Sequence, residues 1–255
     1  RGSDDAVQVK TFRLNADGTL GAEIGVVGSD DRIRFVDVSA GVDHSLAVDV
    51  DGNIWATGSN ARGQLGVDAV NGSINGFVKV FDAEAMNTRI VAVSAGNKFS
   101  LALDADGYVW VWGDNGDGQL GLGHTDQVTE PIRMSLHGVT GISAGESHSL
   151  FVTKAGAIYA AGDNTDNRMG IGLSETGIHT APTYVDVTGA GDNYFVAVSA
   201  GGSHSLALTY GALVYGWGDN TSGQAGAGEN VGVTEPILLD ERYNIIKTIV
   251  AISAS

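Results

Sequence analysis

The chain has 255 residues and a formal charge of −16, from 30 acidic against 14 basic side chains, with 38 Gly, 3 Pro and no Cys. That charge repels phosphate backbones and anionic lipid, so generic nucleic-acid binding is disfavoured, and the missing Cys excludes disulfides and thiolate chemistry. A hydrophobic share of 43% supports a packed core, and no apolar run approaches the roughly 18–20 residues of a spanning helix, so no membrane insertion is predicted.

In chain order, Arg1-Gly2-Ser3-Asp4-Asp5 offers no apolar h-region, and no signal peptide is predicted. Phe12-Arg13-Leu14-Asn15-Ala16-Asp17-Gly18 follows, and it imitates Leu46-Ala47-Val48-Asp49-Val50-Asp51-Gly52 further on. Ser-Ala-Gly then occurs at Ser39, Ser94, Ser143 and Ser199 and begins again at Ser253, at intervals of 55, 49, 56 and 54 residues. Behind each anchor comes His44-Ser45-Leu46, Phe99-Ser100-Leu101, His148-Ser149-Leu150 or His204-Ser205-Leu206. Asp51-Gly52, Asp106-Gly107 and the weaker Ala155-Gly156 mark the next turn. An aromatic-rich strand follows in each copy, at Ile54-Trp55, Val109 to Trp112, Ile158-Tyr159 and Val214 to Trp217. The copies end in Gly63-Gln64-Leu65-Gly66, Gly118-Gln119-Leu120-Gly121, Asn167-Arg168-Met169-Gly170 and Gly223-Gln224-Ala225-Gly226.

Short apolar runs split by Asp-Gly predict antiparallel hairpins. The runs are apolar on both faces, so each sheet is expected to be covered on both sides, as radially stacked propeller blades are. A period near 50 residues suits a four-stranded blade. The repeated His-Ser-Leu, Asp-Gly, aromatic strand and Gly-Gln-Leu-Gly resemble the RCC1 (regulator of chromosome condensation) repeat over residues 36–255. The resemblance implies an all-β propeller of four-stranded antiparallel blades. It also implies a Pro after the Gly-Gln-Leu-Gly turn, a place taken here by Pro131, Pro182 and Pro236, with Gly76 in the first copy.

The expected organisation is one domain over residues 1–255. It comprises a partial repeat (1–38), repeats at 39–93, 94–142, 143–198 and 199–252, and the start of another at 253–255. Ile249 to Ser255 and Phe12 to Gly18 are complementary half-units, which makes about five units in all. Because the resembled family usually has seven blades, a closed five-bladed ring and an arc of a larger ring both stand. The sequence favours closure by pairing of the terminal strands, since an arc exposes two apolar edges.

His44, His148 and His204 recur as repeat consensus, which predicts that each ring satisfies groups within its own blade rather than holding a metal. Asp49-Val50-Asp51-Gly52 and Asp104-Ala105-Asp106-Gly107 supply too few oxygens for calcium and read as hairpin turns. Gly116-Asp117-Gly118-Gln119-Leu120-Gly121 matches a dinucleotide pattern but lies in a turn. No catalytic constellation and no cofactor site is predicted.

Recognition is expected in the divergent linkers. Phe77, Arg89, Arg133, Met134, Tyr184, Tyr194, Arg242 and Tyr243 are the candidate partner-binding residues, because aromatics, Met and Arg anchor interfaces. The reading is a non-catalytic scaffold for a protein partner. The alternatives are guanine-nucleotide exchange on a small GTPase, implied by the resemblance alone, and glycan binding.

Overall fold

The computed structural model describes residues 11–14, 20–25, 33–67, 72–172, 175–187, 194–228, 231–239 and 251–254. Strands β1 (Thr11–Leu14) and β2 (Leu20–Gly25) form a two-stranded antiparallel sheet. Four four-stranded antiparallel meanders follow, each in sequence order. Blade I holds β3 (Phe35–Ala40), β4 (His44–Asp49), β5 (Ile54–Ser59) and β6 (Ser73–Phe81). Blade II holds β7 (Ile90–Ala95), β8 (Phe99–Asp104), β9 (Val109–Gly113) and β10 (Val128–Arg133). Blade III holds β11 (Val139–Ala144), β12 (His148–Thr153), β13 (Ile158–Asp163) and β14 (Ile178–Tyr184). Blade IV holds β15 (Phe195–Ala200), β16 (His204–Thr209), β17 (Val214–Gly218) and β18 (Val233–Leu238). Ser-Ala-Gly closes the first strand of each blade, so the sequence repeat is offset from the blade by a few residues.

The hairpin turns explain the Asp-to-aromatic spacing. Asp49 Oδ1 accepts the N–H groups of Asp51 and Asn53, and Oδ2 accepts the Trp55 indole at 2.8 Å. Asp104 does the same for Asp106, Tyr108 and Trp110. In blades III and IV a Thr replaces the Asp (Thr153, Thr209) and a Tyr replaces the Trp (Tyr159, Tyr215). The exchange is coupled, because a buried indole N–H without its carboxylate would be an unmet donor.

Both faces of the inner blades are covered, and the cores lie between sheets. Blades I and II share Leu46, Ile54, Leu65, Phe81, Ile90, Val93, Trp110 and Trp112. Blades II and III share Phe99, Leu101, Leu120, Met134, Phe151 and Ala161. Blades III and IV share Leu150, Ile158, Met169, Phe195, Tyr215 and Trp217. A serine ladder runs across the first strands. Ser39 Oγ accepts Ala95 N–H at 3.0 Å, Ser94 Oγ accepts Ala144 N–H at 2.9 Å, and Ser143 Oγ accepts Ala200 N–H at 2.9 Å.

His44 and His148 correct the expectation of own-blade partners. Ser100 Oγ of blade II donates to Gln64 O of blade I at 2.8 Å, which uses its one proton, so His44 Nε2–H donates to Ser100 Oγ at 2.9 Å. His148 reaches Ser205 in the same way, and Ser205 donates to Arg168 O. The Trp112 and Trp217 indoles cap the same two carbonyls, at 2.8 and 2.9 Å. Between blades II and III both members are exchanged: Phe99 stands for His, and Ala161 stands for Trp. The volume is refilled by Met134, whose Cε lies beside Gly121 where Trp112 lies beside Gly66.

Gly76 does not occupy the Pro place expected of it. Its N–H donates to Thr57 Oγ1 at 3.1 Å. The register puts Phe77 at the place of Pro131, Pro182 and Pro236, because Val78, Ile132, Thr183 and Ile237, the residues that follow them, face the equivalent Ala56, Val111, Ala160 and Gly216.

The two ends carry complementary pieces. Ala254 N–H donates to Ser199 Oγ at 2.7 Å, a fourth rung of the serine ladder. β1 is paired with β2 in the register of second and third strands, Leu14 facing Leu20 as Val48 faces Ile54. On blade I, Val38 is 69% exposed whereas its equivalent Val93 is 7% exposed. Closure through Phe12–Leu14 and Ile249–Ile252 concerns Ile249 and Val250, which lie outside the described residues. It is tested by a cysteine pair in this cysteine-free chain. Ala40 faces Ser45 in blade I, and the equivalent pair is Ala254 and Thr11. Facing antiparallel residues lie within disulfide reach, so Thr11→Cys with Ala254→Cys is expected to cross-link within one chain on oxidation. Cross-linked dimers, or no cross-link, would rule closure out.

Candidate functional site

The repeated polar residues are consumed in building blades. His44, His148 and His204 are 3%, 0% and 8% exposed and begin the second strands of blades I, III and IV. Among the described residues no three His, Cys, Asp or Glu side chains gather to hold a metal ion. Burial alone would raise the Asp49 carboxyl, but hydrogen bonds from Trp55, Asn53 and Asp51 outweigh it and hold the group below its ordinary value. Asp117 is the reverse case, raised by burial and by the nearby carboxylates Asp163 and Asp114. The turn Gly116 to Gly121 is followed by no helix, which removes the dinucleotide reading.

The linker residues separate into three groups. Met134 is 3% exposed and belongs to the core between blades II and III, so it is a correction to the surface set. Phe77 is half-buried, with its ring 5.7 Å from Phe35, and Arg89 extends along blade I to donate to Val50 O at 3.2 Å. Arg133, Tyr184 and Tyr194 lie on blades II to IV and remain exposed, the two tyrosines at 54% and 45%. Arg242 and Tyr243 lie outside the described residues.

The third group has neighbours that the linker argument missed. The Arg133 guanidinium lies 4.4 Å from the centre of the Tyr108 ring, which is 6.4 Å from His137. Tyr184 meets Tyr159 edge-on at 5.8 Å, and the Tyr194 hydroxyl donates to Lys154 O at 2.6 Å. A groove of 670 Å³ lies among these pieces, lined by Leu136, His137, Lys154, Tyr159, Ala181 and Pro182 among others. The sequence did hold a signal for it. Thr153-Lys154-Ala155-Gly156 replaces Asp49-Val50-Asp51-Gly52, so the third hairpin loses both carboxylates and gains a cation.

Two other grooves differ in charge. One of 440 Å³ on blade I is lined by Asp51, Asp82 and Glu84 with Lys79. One of 280 Å³ over blades II and III is lined by Asp114, Asp117 and Glu146 with Lys98 and Arg168. Arg168, in place of the usual Gln, ties its turn to Ser147 Oγ at 2.8 Å and to Gly202 O of blade IV at 3.2 Å.

Comparison with known proteins agrees with this architecture. The profile of the RCC1-like domain matches residues 7–255. The ultraviolet-B receptor UVR8 of Arabidopsis thaliana is 31% identical over 208 residues, covering 80% of this chain and 46% of UVR8. Human HERC6, a probable E3 ubiquitin-protein ligase, is 31% identical over 192 residues, 74% of this chain and 19% of HERC6. The chain thus spans less than half the length of these relatives. The solved structure of human WBSCR16 superposes with a TM-score of 0.76 at 22% identity, over 96% of this chain and 65% of that one. Prp20p of Saccharomyces cerevisiae gives 0.76 at 22% identity, over 96% and 61%.

Proposed function

Since the chain belongs to the RCC1-like domain family, we propose that it is a non-catalytic scaffold whose divergent surface engages a protein partner. The observation that carries this reading is the division of labour among residues. The recurring His, Ser, Asp, Trp and Gln side chains are spent on turns and blade junctions, while exposed Tyr and Arg sit in the segments that differ between copies. Such residues are the usual anchors of protein interfaces. Protein binding is also what the solved structures of the neighbours concern: Prp20p with Gsp1p and histones, and yeast RCC1 (Prp20) bound to Kap60.

The second reading is guanine-nucleotide exchange on a small GTPase, favoured by the similarity to Prp20p. The scaffold reading expects specific partners to be captured by the immobilised chain, no accelerated nucleotide release over a panel of small GTPases, and no DNA affinity with a steep salt dependence. Accelerated release at catalytic amounts of the chain would replace the scaffold with an exchange factor. Failure of the immobilised chain to retain any partner at physiological salt would remove the scaffold reading itself.

A further inference from the structure

The three grooves differ most in their carboxylates. Two are each lined by three acidic side chains, as a −16 surface leads one to expect. The third and largest of these, on blade III beside the linker from blade II, has none: its ionisable lining is Lys154, His137 and Tyr159. A second full cation, Arg133, is linked to this lining through Tyr108: its guanidinium lies over the Tyr108 ring, which packs beside His137. Among the described residues, neither Lys154 nor Arg133 forms an ion pair. The rest of the lining includes apolar surface from Leu136, Ala181, Pro182 and the Tyr159 ring, and Tyr159 packs against the exposed Tyr184.

Building on the scaffold reading, we infer that this groove docks an acidic segment of a partner protein, one that carries apolar side chains among its carboxylates. An aliphatic side chain would enter between Leu136, Pro182 and Tyr159, and flanking carboxylates would meet Lys154 and Arg133. The chain's overall charge does not oppose this. At physiological salt, exposed charges beyond about 8 Å are largely screened, so the local cations govern the last step of approach. The acidic surface elsewhere adds selectivity, because an acidic ligand is repelled from the other grooves and finds complementary charge here. A basic segment would meet the opposite pattern. The parts are also pre-formed: β-hairpin 153–157 and β14 are fixed by the blade III ladder, so little ordering is needed on binding.

The test uses the whole chain and a short fluorescent peptide in which leucines alternate with glutamates and aspartates, together with its twin carrying lysine at every acidic position. Fluorescence anisotropy is expected to show the acidic peptide binding at least about tenfold more tightly than the twin, a difference set by charge alone. The exposed pair Lys154→Glu and Arg133→Glu is expected to lose about tenfold or more for the acidic peptide and to gain affinity for the lysine twin. Lys154→Arg keeps the wild-type preference. Equal binding of both peptides, acidic-peptide affinity unchanged in the double variant, or no binding of the acidic peptide would each overturn the proposal. So would concentration-dependent dimers abolished by the double variant, which would assign the groove to a second copy. Capturing partners in parallel separates the two levels: partners retained equally by wild type and double variant would leave the scaffold reading standing while this groove falls.

Discussion

Truncating Trp112 to Ala is expected to lower the stability of the protein by about 3–5 kcal/mol, the usual loss for a large aromatic removed from a packed site. The side chain is fully buried between blades I and II, packed with Leu46, Leu65 and Ile90. Its indole N–H also caps Gln64 O, the carbonyl that receives Ser100 Oγ. The substitution therefore opens a cavity and weakens a blade-to-blade hydrogen bond at once. Trp217→Ala should behave alike, since it occupies the same seat between blades III and IV and caps Arg168 O. The mirror experiment is Ala161→Trp, which should also destabilise, because Phe99 and Met134 already fill that seat. Denaturant titration decides. A Trp112→Ala protein as stable as wild type would mean that the blades do not depend on this contact.

Acid should loosen the same junctions. His44 is pushed down to about 4 by burial, with Asp43 opposing, and His148 to about 3 by burial, with Arg168 and His204 adding to it. Their Nδ1 atoms are buried without a hydrogen-bond partner, so a proton there would be a poorly solvated charge, offset at His44 only in part by Asp43 at 3.7 Å. Because the folded values lie below the ordinary 6.5, the unfolded chain takes up protons first as pH falls. The stability from these groups is therefore complete above pH 6.5 and is lost progressively below it, until the folded values are passed. Each histidine contributes a slope of up to about 1.4 kcal/mol per pH unit, which integrates to on the order of 3–5 kcal/mol for each group by itself. Carboxylates with lowered values, such as Asp49 and Asp219, add their losses near and below their ordinary value of 3.8. The interval from pH 6.5 to 4.5 thus separates the histidines from these lowered carboxylates. Denaturant midpoints should fall across it in the wild type and fall less steeply in His148→Gln. A flat profile over that interval would contradict the dry neutral junction.

The repeat made the strand content, the hairpins and the covered sheet faces readable in advance, because each depends on residues close in sequence. Asp-Gly turns and the His-Ser-Leu and aromatic strands lie within one unit, and local spacing reports them directly. What the sequence left open are contacts between units, made across separations such as the 56 residues from His44 to Ser100. Periodicity shows that His recurs, but only the stacking shows that its partner is a serine of the next blade. Met134 was misjudged for that reason: it stands in a divergent linker, yet it packs the seat that Ala161 vacates. The groove by Lys154 joins the 135–138 linker, the third hairpin and β14, segments separated in sequence that the blade III sheet brings together. Sequence alone thus determined the blade, and tertiary structure decided what lies between blades, because stacking brings together residues that no local pattern connects.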